Sequence, residues 1–251
     1  MHKLLAAALL AAGCSLAFQM SASTPTDSST MTYSQSSSDT LSDRQRAIVP
    51  IAALAAAGDI SRLSTAIDQG LDAGLMVSDA KEVLVQLYAY AGFPRSLNAL
   101  GELMKVVAAR KQRGLKDDVG QEPSHAIPTG DALLAAGTAN QTKLIGAPVK
   151  GPLFEFAPAA DQYLKAHLFG DIFERDNLDW QSRELATVGM LSALQGVDPQ
   201  LQSHVSISMN IGITAAQLNQ VAVVVAEQVD ADAGARVGEA IKRHLAAQAA
   251  K

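Results

Sequence analysis

The sequence predicts an all-α protein built from two related helical repeats packed as a pseudo-symmetric pair. Three observations carry this. Alanine is abundant and aromatic residues make up only 4% of the 251-residue chain, a mix that favours closely packed helices over sheets. Hydrophobic residues reach 48%, enough for a sizeable core. Helix start and stop signals recur in one order in the two halves, offset by about 137–138 residues, which is the mark of a duplication.

Residues 1–22 read as an export signal. Lys3 supplies the positive charge, and residues 4–12 form an apolar run too short to span a membrane. Leu10-Ala11-Ala12-Gly13-Cys14 has the form of a lipoprotein box, which would place a lipid anchor on Cys14; the alternative is cleavage after a small residue near Ala22. Either route delivers the protein to the periplasm or beyond it, with no transmembrane span expected. Cys14 is the single cysteine, so a disulfide framework, a Cys-ligated zinc and thiol redox chemistry are excluded from the folded part. A net charge of −5 without a basic stripe excludes an electrostatic footprint for nucleic acid.

Residues 23–39 are rich in Ser and Thr and form a solvated linker. The first repeat, 40–110, opens at Ser42-Asp43-Arg44-Gln45, a capping box that starts a helix running to Ala57 and stopped by Gly58. Asp59 caps a second helix carrying Leu63 and Ile67, followed by a break at 70–74. Ser78 opens a third, ending at Gly92, and Pro94 starts a fourth that runs to about Arg110. Residues 111–152 form a long surface connection with one short helix over 131–136. The second repeat, 153–251, begins with a lead-in helix over 158–169. A helix then starts near Asp179 and stops at Gly196, and Asp198-Pro199 opens the next, which ends at Gly212. Thr214-Ala215-Ala216-Gln217 is a second capping box. Arg46 thus matches Arg183, Leu63 matches Leu201, and Gly74 matches Gly212.

The residues with chemistry to offer are Glu184 and His204. Glu184 lies one turn before Val188, at the edge of an apolar stripe, and His204 sits on the inward face of the next helix. A short turn makes these helices antiparallel neighbours, able to bring the two side chains together. A carboxylate beside an imidazole suits acid–base work, and equally suits a buried structural hydrogen bond. In the first repeat Ala47 and Ala66 stand at the matching positions. His125, His167 and His244 are isolated, with His167 placed to cap a helix end before Gly170. No metal site is expected.

Two segments make the reading more specific. Tyr88-Ala89-Tyr90-Ala91-Gly92-Phe93-Pro94-Arg95 with Asn98-Ala99 resembles the C-terminal signature of the carboxymuconolactone decarboxylase family, within the alkyl hydroperoxidase D-like superfamily. Arg183-Glu184-Leu185-Ala186-Thr187-Val188, with Gln202-Ser203-His204-Val205 and Asn210-Ile211-Gly212, resembles its central signature. Residues 165–178 resemble the lead-in of duplicated members. The resemblance implies a cofactor-free, homo-oligomeric lyase acting on a small organic acid or lactone, with Glu184 and His204 catalytic and with Arg95, Asn98, Arg183 and Asn210 as candidate substrate ligands. Each repeat keeps a different half of the signature. One composite site would explain that, as would a plain turn at Gly92-Phe93-Pro94. The peroxidase branch of the superfamily needs a Cys-x-x-Cys pair; Val197 and Gln200 stand there, so thiol peroxidase activity is not expected.

Overall fold

The structure, a computed structural model, describes residues 39–250. The expected export signal, Cys14 and the expected linker up to residue 38 therefore lie outside the described residues. Those residues fold into helices and connections, with no strand among them.

The first repeat comprises α1 (Asp43–Ala57), α2 (Ile60–Asp72), α3 (Val77–Gln86), α4 (Tyr88–Ala91) and α5 (Phe93–Gln112). The linking region holds α6 (Asp131–Ile145), α7 (Pro152–Phe156), α8 (Pro158–Tyr163) and a π-helix over Leu164–Ile172. The second repeat proper is α9 (Trp180–Ala193), α10 (Asp198–Asn210), α11 (Ala215–Gln228) and α12 (Ala231–Ala249). The local grammar explains the starts. Ser42 and Gln45 close a reciprocal capping box on α1, and Thr214 and Gln217 close another on α11. Asp59, Asp179 and Asp230 each accept an N-terminal amide of the helix they precede.

The duplication is visible in contacts. Helices α1, α2, α3 and α5 have their counterparts in α9, α10, α11 and α12 about 138 residues on, while α4 falls at the end of α11, and Leu63 and Leu201 occupy the same fourth position of α2 and α10, both buried. The matching helices α1 and α9 pack against each other at the centre. Small residues permit this: Ala52, Ala53, Ala55 and Ala56 are fully buried, and a Cβ on Gly189 would sit 2.9 Å from the Val49 carbonyl oxygen. Across the seam, Arg46 Nη2 donates to Gln220 at 3.0 Å, and its counterpart Arg183 Nη2 donates to Glu82 at 3.0 Å. One hydrophobic cluster runs through both repeats, from Leu41 to Ile241.

Three expectations need correction. The third helix of the first repeat does not run unbroken to Gly92: it ends at Gln86 and resumes as the short α4. The connection holds a full helix, α6, of 15 residues rather than a short one. Its Gly137, Thr138 and Asn140 obscure it in sequence, but Gly137 is what lets α6 press on the next segment, since a Cβ there would lie 1.8 Å from the Lys165 carbonyl oxygen. That segment begins as α8 and then widens into π turns, with the Phe173 amide reaching back five residues to the Leu168 carbonyl at 3.2 Å. Leu144 of α6, Phe169 and Ile172 of the π-helix and Ile207 of α10 share a second, smaller cluster.

Candidate active site

Glu184 lies on the second turn of α9 and His204 on the second turn of α10. The connection through Gly196, in the left-handed region at φ 76°, folds α10 back against α9. His204 Nδ1 and Glu184 Oε2 are 2.7 Å apart. The Glu184 side chain is fully buried, while about 10% of the His204 side chain stays exposed. The Nδ1–H donates to the carboxylate, so Nε2 points away from it, and Nε2 has no hydrogen-bond partner among the described residues. The second carboxylate oxygen, Glu184 Oε1, is buried without a partner among the described residues. That oxygen is therefore open to a water or a ligand group.

The first repeat does reach this pair, through a residue that sequence reasoning left inside a signature without a role. Tyr90 of α4 sets its ring edge-on to His204, with centroids 5.7 Å apart. Its hydroxyl accepts from Thr187 at 3.4 Å, and Gln86 of α3 donates to that same Thr187 at 2.7 Å and to the Arg183 carbonyl at 3.0 Å. Loss of water, and secondarily the Glu184 charge, hold the Tyr90 phenol well above its usual range, so it stays protonated. The only hint in sequence was the pattern Tyr88-x-Tyr90 beside Gly92.

The other candidates are distributed differently. Arg183 is fully buried and turned away from Glu184: it donates to Glu82 Oε2 at 3.0 Å, to the Arg175 carbonyl at 2.8 Å and to Gln86 at 3.3 Å. Its guanidinium is enclosed by protein. Asn210 is likewise a tie between helices. It donates to the Lys143 and Leu144 carbonyls at 3.2 and 2.7 Å and satisfies the C-terminal end of α6. Arg95 sits half-buried over Gly58 at the C-terminal end of α1, and Asn98 is exposed on α5. Neither hydrogen-bonds to Glu184 or His204. His167 does not cap its helix: its ring bridges Asp171, at 2.5 Å from Nδ1, and the Tyr88 hydroxyl. Among the described residues no group of three or more His, Cys, Asp or Glu side chains is placed to hold a metal ion.

The described residues thus form two related helical repeats, with the Glu184–His204 pair in the second. The chain belongs to the carboxymuconolactone decarboxylase family, whose model matches residues 29–104 and 158–241. No curated protein matches it.

Proposed function

We propose that the Glu184–His204 pair is a cofactor-free acid–base centre acting on a small carboxylic acid or lactone, in the manner of a carboxymuconolactone decarboxylase. The observation that carries it is the 2.7 Å bond from His204 Nδ1 to a fully buried carboxylate. That bond fixes the tautomer and leaves Nε2 as the working nitrogen. In the proposed reaction the bond from carbon to the substrate carboxylate breaks and CO2 departs. The electron pair passes into the conjugated lactone as a dienolate. His204 enters this step as the imidazolium, delivers its Nε2 proton to that carbon or to its conjugated neighbour, is left as the neutral Nδ1–H imidazole, and regains the proton from solvent. Glu184 balances the imidazolium. Tyr90, protonated and beside the pair, offers a hydroxyl to a substrate oxygen. Arg95 remains the proposed partner of a substrate carboxylate, with Asn98 beside it on α5.

The test is CO2 release, and deuterium uptake from D2O, on γ-carboxymuconolactone and a panel of related lactone acids. His204→Ala is expected to lower kcat about 10²–10⁴-fold, the usual worth of a positioned acid–base group, and to lower the melting temperature as well, because the buried Glu184 carboxylate loses its hydrogen-bond partner among the described residues. Arg95→Gln is expected to raise KM and spare kcat. Turnover unchanged in His204→Ala would defeat the assignment. So would no turnover by the wild type on any lactone acid of the panel, which would leave the pair a structural hydrogen bond on a binding scaffold.

Export and assembly belong to the same proposal. Mass spectrometry of the mature chain would distinguish cleavage near residue 22 from lipidation at Cys14. A homo-oligomer is supported by Phe93, Leu97 and Met104, which are 60%, 61% and 69% exposed along α5, and sedimentation would test it. No helix among the described residues is long and apolar enough to cross a membrane.

A further inference from the structure

The duplication places a counterpart of the Glu184–His204 site in the first repeat, and that position is hollow. Ala47 stands for Glu184, Ala66 for His204, and Gln228, reaching over from the second repeat, stands for Tyr90. All three line one cleft of about 180 Å³. Truncating an acid and an imidazole to methyl groups on a conserved backbone arrangement leaves that volume behind. Pro50, Gly70, Ala73, Gln69 and Asp43 complete its lining together with Arg46.

The cleft also holds a positive charge that its counterpart neutralises. In the second repeat Arg183 donates to the carboxylate of Glu82 at 3.0 Å. In the first, Arg46 donates at 3.0 Å to Gln220, a neutral amide, and no carboxylate lies within 4 Å of it among the described residues. Arg46 is half-exposed and lines the cleft. Asp43 is the other charged group there; it lies one turn earlier on α1, exposed, and makes no ion pair with Arg46. A partly open cleft with small apolar side chains, two amides and a guanidinium that is bonded to a neutral amide and to no carboxylate has the make-up of a site for a small organic anion.

We propose that this cleft binds a compact organic carboxylate, its charge on Arg46 and its apolar body on Ala47, Ala66 and Pro50. The position has no imidazole and no buried acid, so the ligand is held and not transformed. The inference does not depend on Glu184 and His204 being catalytic.

The experiment uses the full chain with ¹³C-labelled alanine methyl groups, titrated with isobutyrate and, in parallel, with its neutral isostere isobutyramide. Saturable shifts of the Ala47 and Ala66 methyls are expected with isobutyrate, and binding at least about tenfold weaker with the amide, since the charge-assisted bond is lost. Arg46→Gln should abolish saturation. Ala66→Leu should do the same by filling the cleft while leaving Arg46 and Gln220 in place, which covers the case that Arg46→Gln disturbs the seam. His204→Ala should leave these shifts intact. The proposal is overturned if no saturable shift occurs, if the amide binds equally well, if Ala66→Leu binds as the wild type does, or if His204→Ala abolishes the effect, which would place the ligand at the other site.

Discussion

Replacing Glu82 by Gln tests how the two repeats are held together. The Glu82 side chain is 4% exposed and that of Arg183 is fully buried. Arg175 adds contacts to Glu82 at 2.7–3.1 Å, and Asn177 adds one at 3.1 Å. The substitution keeps shape and volume but leaves the Arg183 charge buried with no carboxylate in ion-pair range. Breaking a buried pair from one side costs about 3–5 kcal/mol. At about 2–4 °C per kcal/mol for a chain of this size, the melting temperature should fall by about 6–20 °C. Thermal unfolding followed by circular dichroism reads this directly. Acidification gives a second reading. Burial pushes the Glu82 carboxyl up, but the hydrogen bonds from Arg175 and Arg183 outweigh it and hold the group below the ordinary value of 4.5. A depressed folded-state value means the contribution is full above pH 4.5 and is lost as pH falls below it through the lower folded value. The variant should lack that part of the acid loss. The reasoning is refuted if Glu82→Gln melts with the wild type at pH 7, or if it loses stability below pH 4.5 as steeply. If instead it melts normally and raises KM, Arg183 serves the substrate after all.

Glycine replacements should act with opposite signs. Gly137→Ala meets the Lys165 backbone oxygen at 1.8 Å and is expected to cost roughly 3 kcal/mol, whereas Gly101→Ala, inside α5 with nothing within 4 Å of the new methyl, should gain about 0.5–1 kcal/mol; urea unfolding of both checks the pair, and a stable Gly137→Ala would contradict the described packing of α6. The mature protein should show no enzyme-dependent peroxide consumption with dithiol reductants, because Val197 and Gln200 stand where the peroxidase branch keeps its cysteines; sustained turnover in a coupled assay would overturn that.

Much of the fold was legible because its signals are local. Ser42, Asp59 and Thr214 each announce a helix start through their own side chain, and the repeat follows from the order of such signals. The Glu184–His204 encounter was legible for the same reason, two adjacent helices and one short turn. What escaped depends on distant partners. Arg183 reads as a free guanidinium until Glu82, 101 residues away, closes on it. Tyr90 reads as one aromatic among neighbours until α4 meets α9 and α10. Helix α6 and the π-helix define each other through Gly137 and Gly170, and glycine in isolation argues against a helix rather than for a contact.

The central seam between α1 and α9 also dictates when this chain can fold. Ile48, Val49, Ile51, Ala52 and Ala55 have no exposed surface in the finished protein, and α1 is the helix packed on α9. As the polypeptide leaves the ribosome, α1 is complete more than a hundred residues before α9 exists. Through that interval the side of α1 that meets α9, with Val49 and Ala52, lacks its native partner. The seam between the two repeats is therefore completed only after α9 has been made, and a ribosomal pause placed before Trp180 would lengthen the exposure of that face.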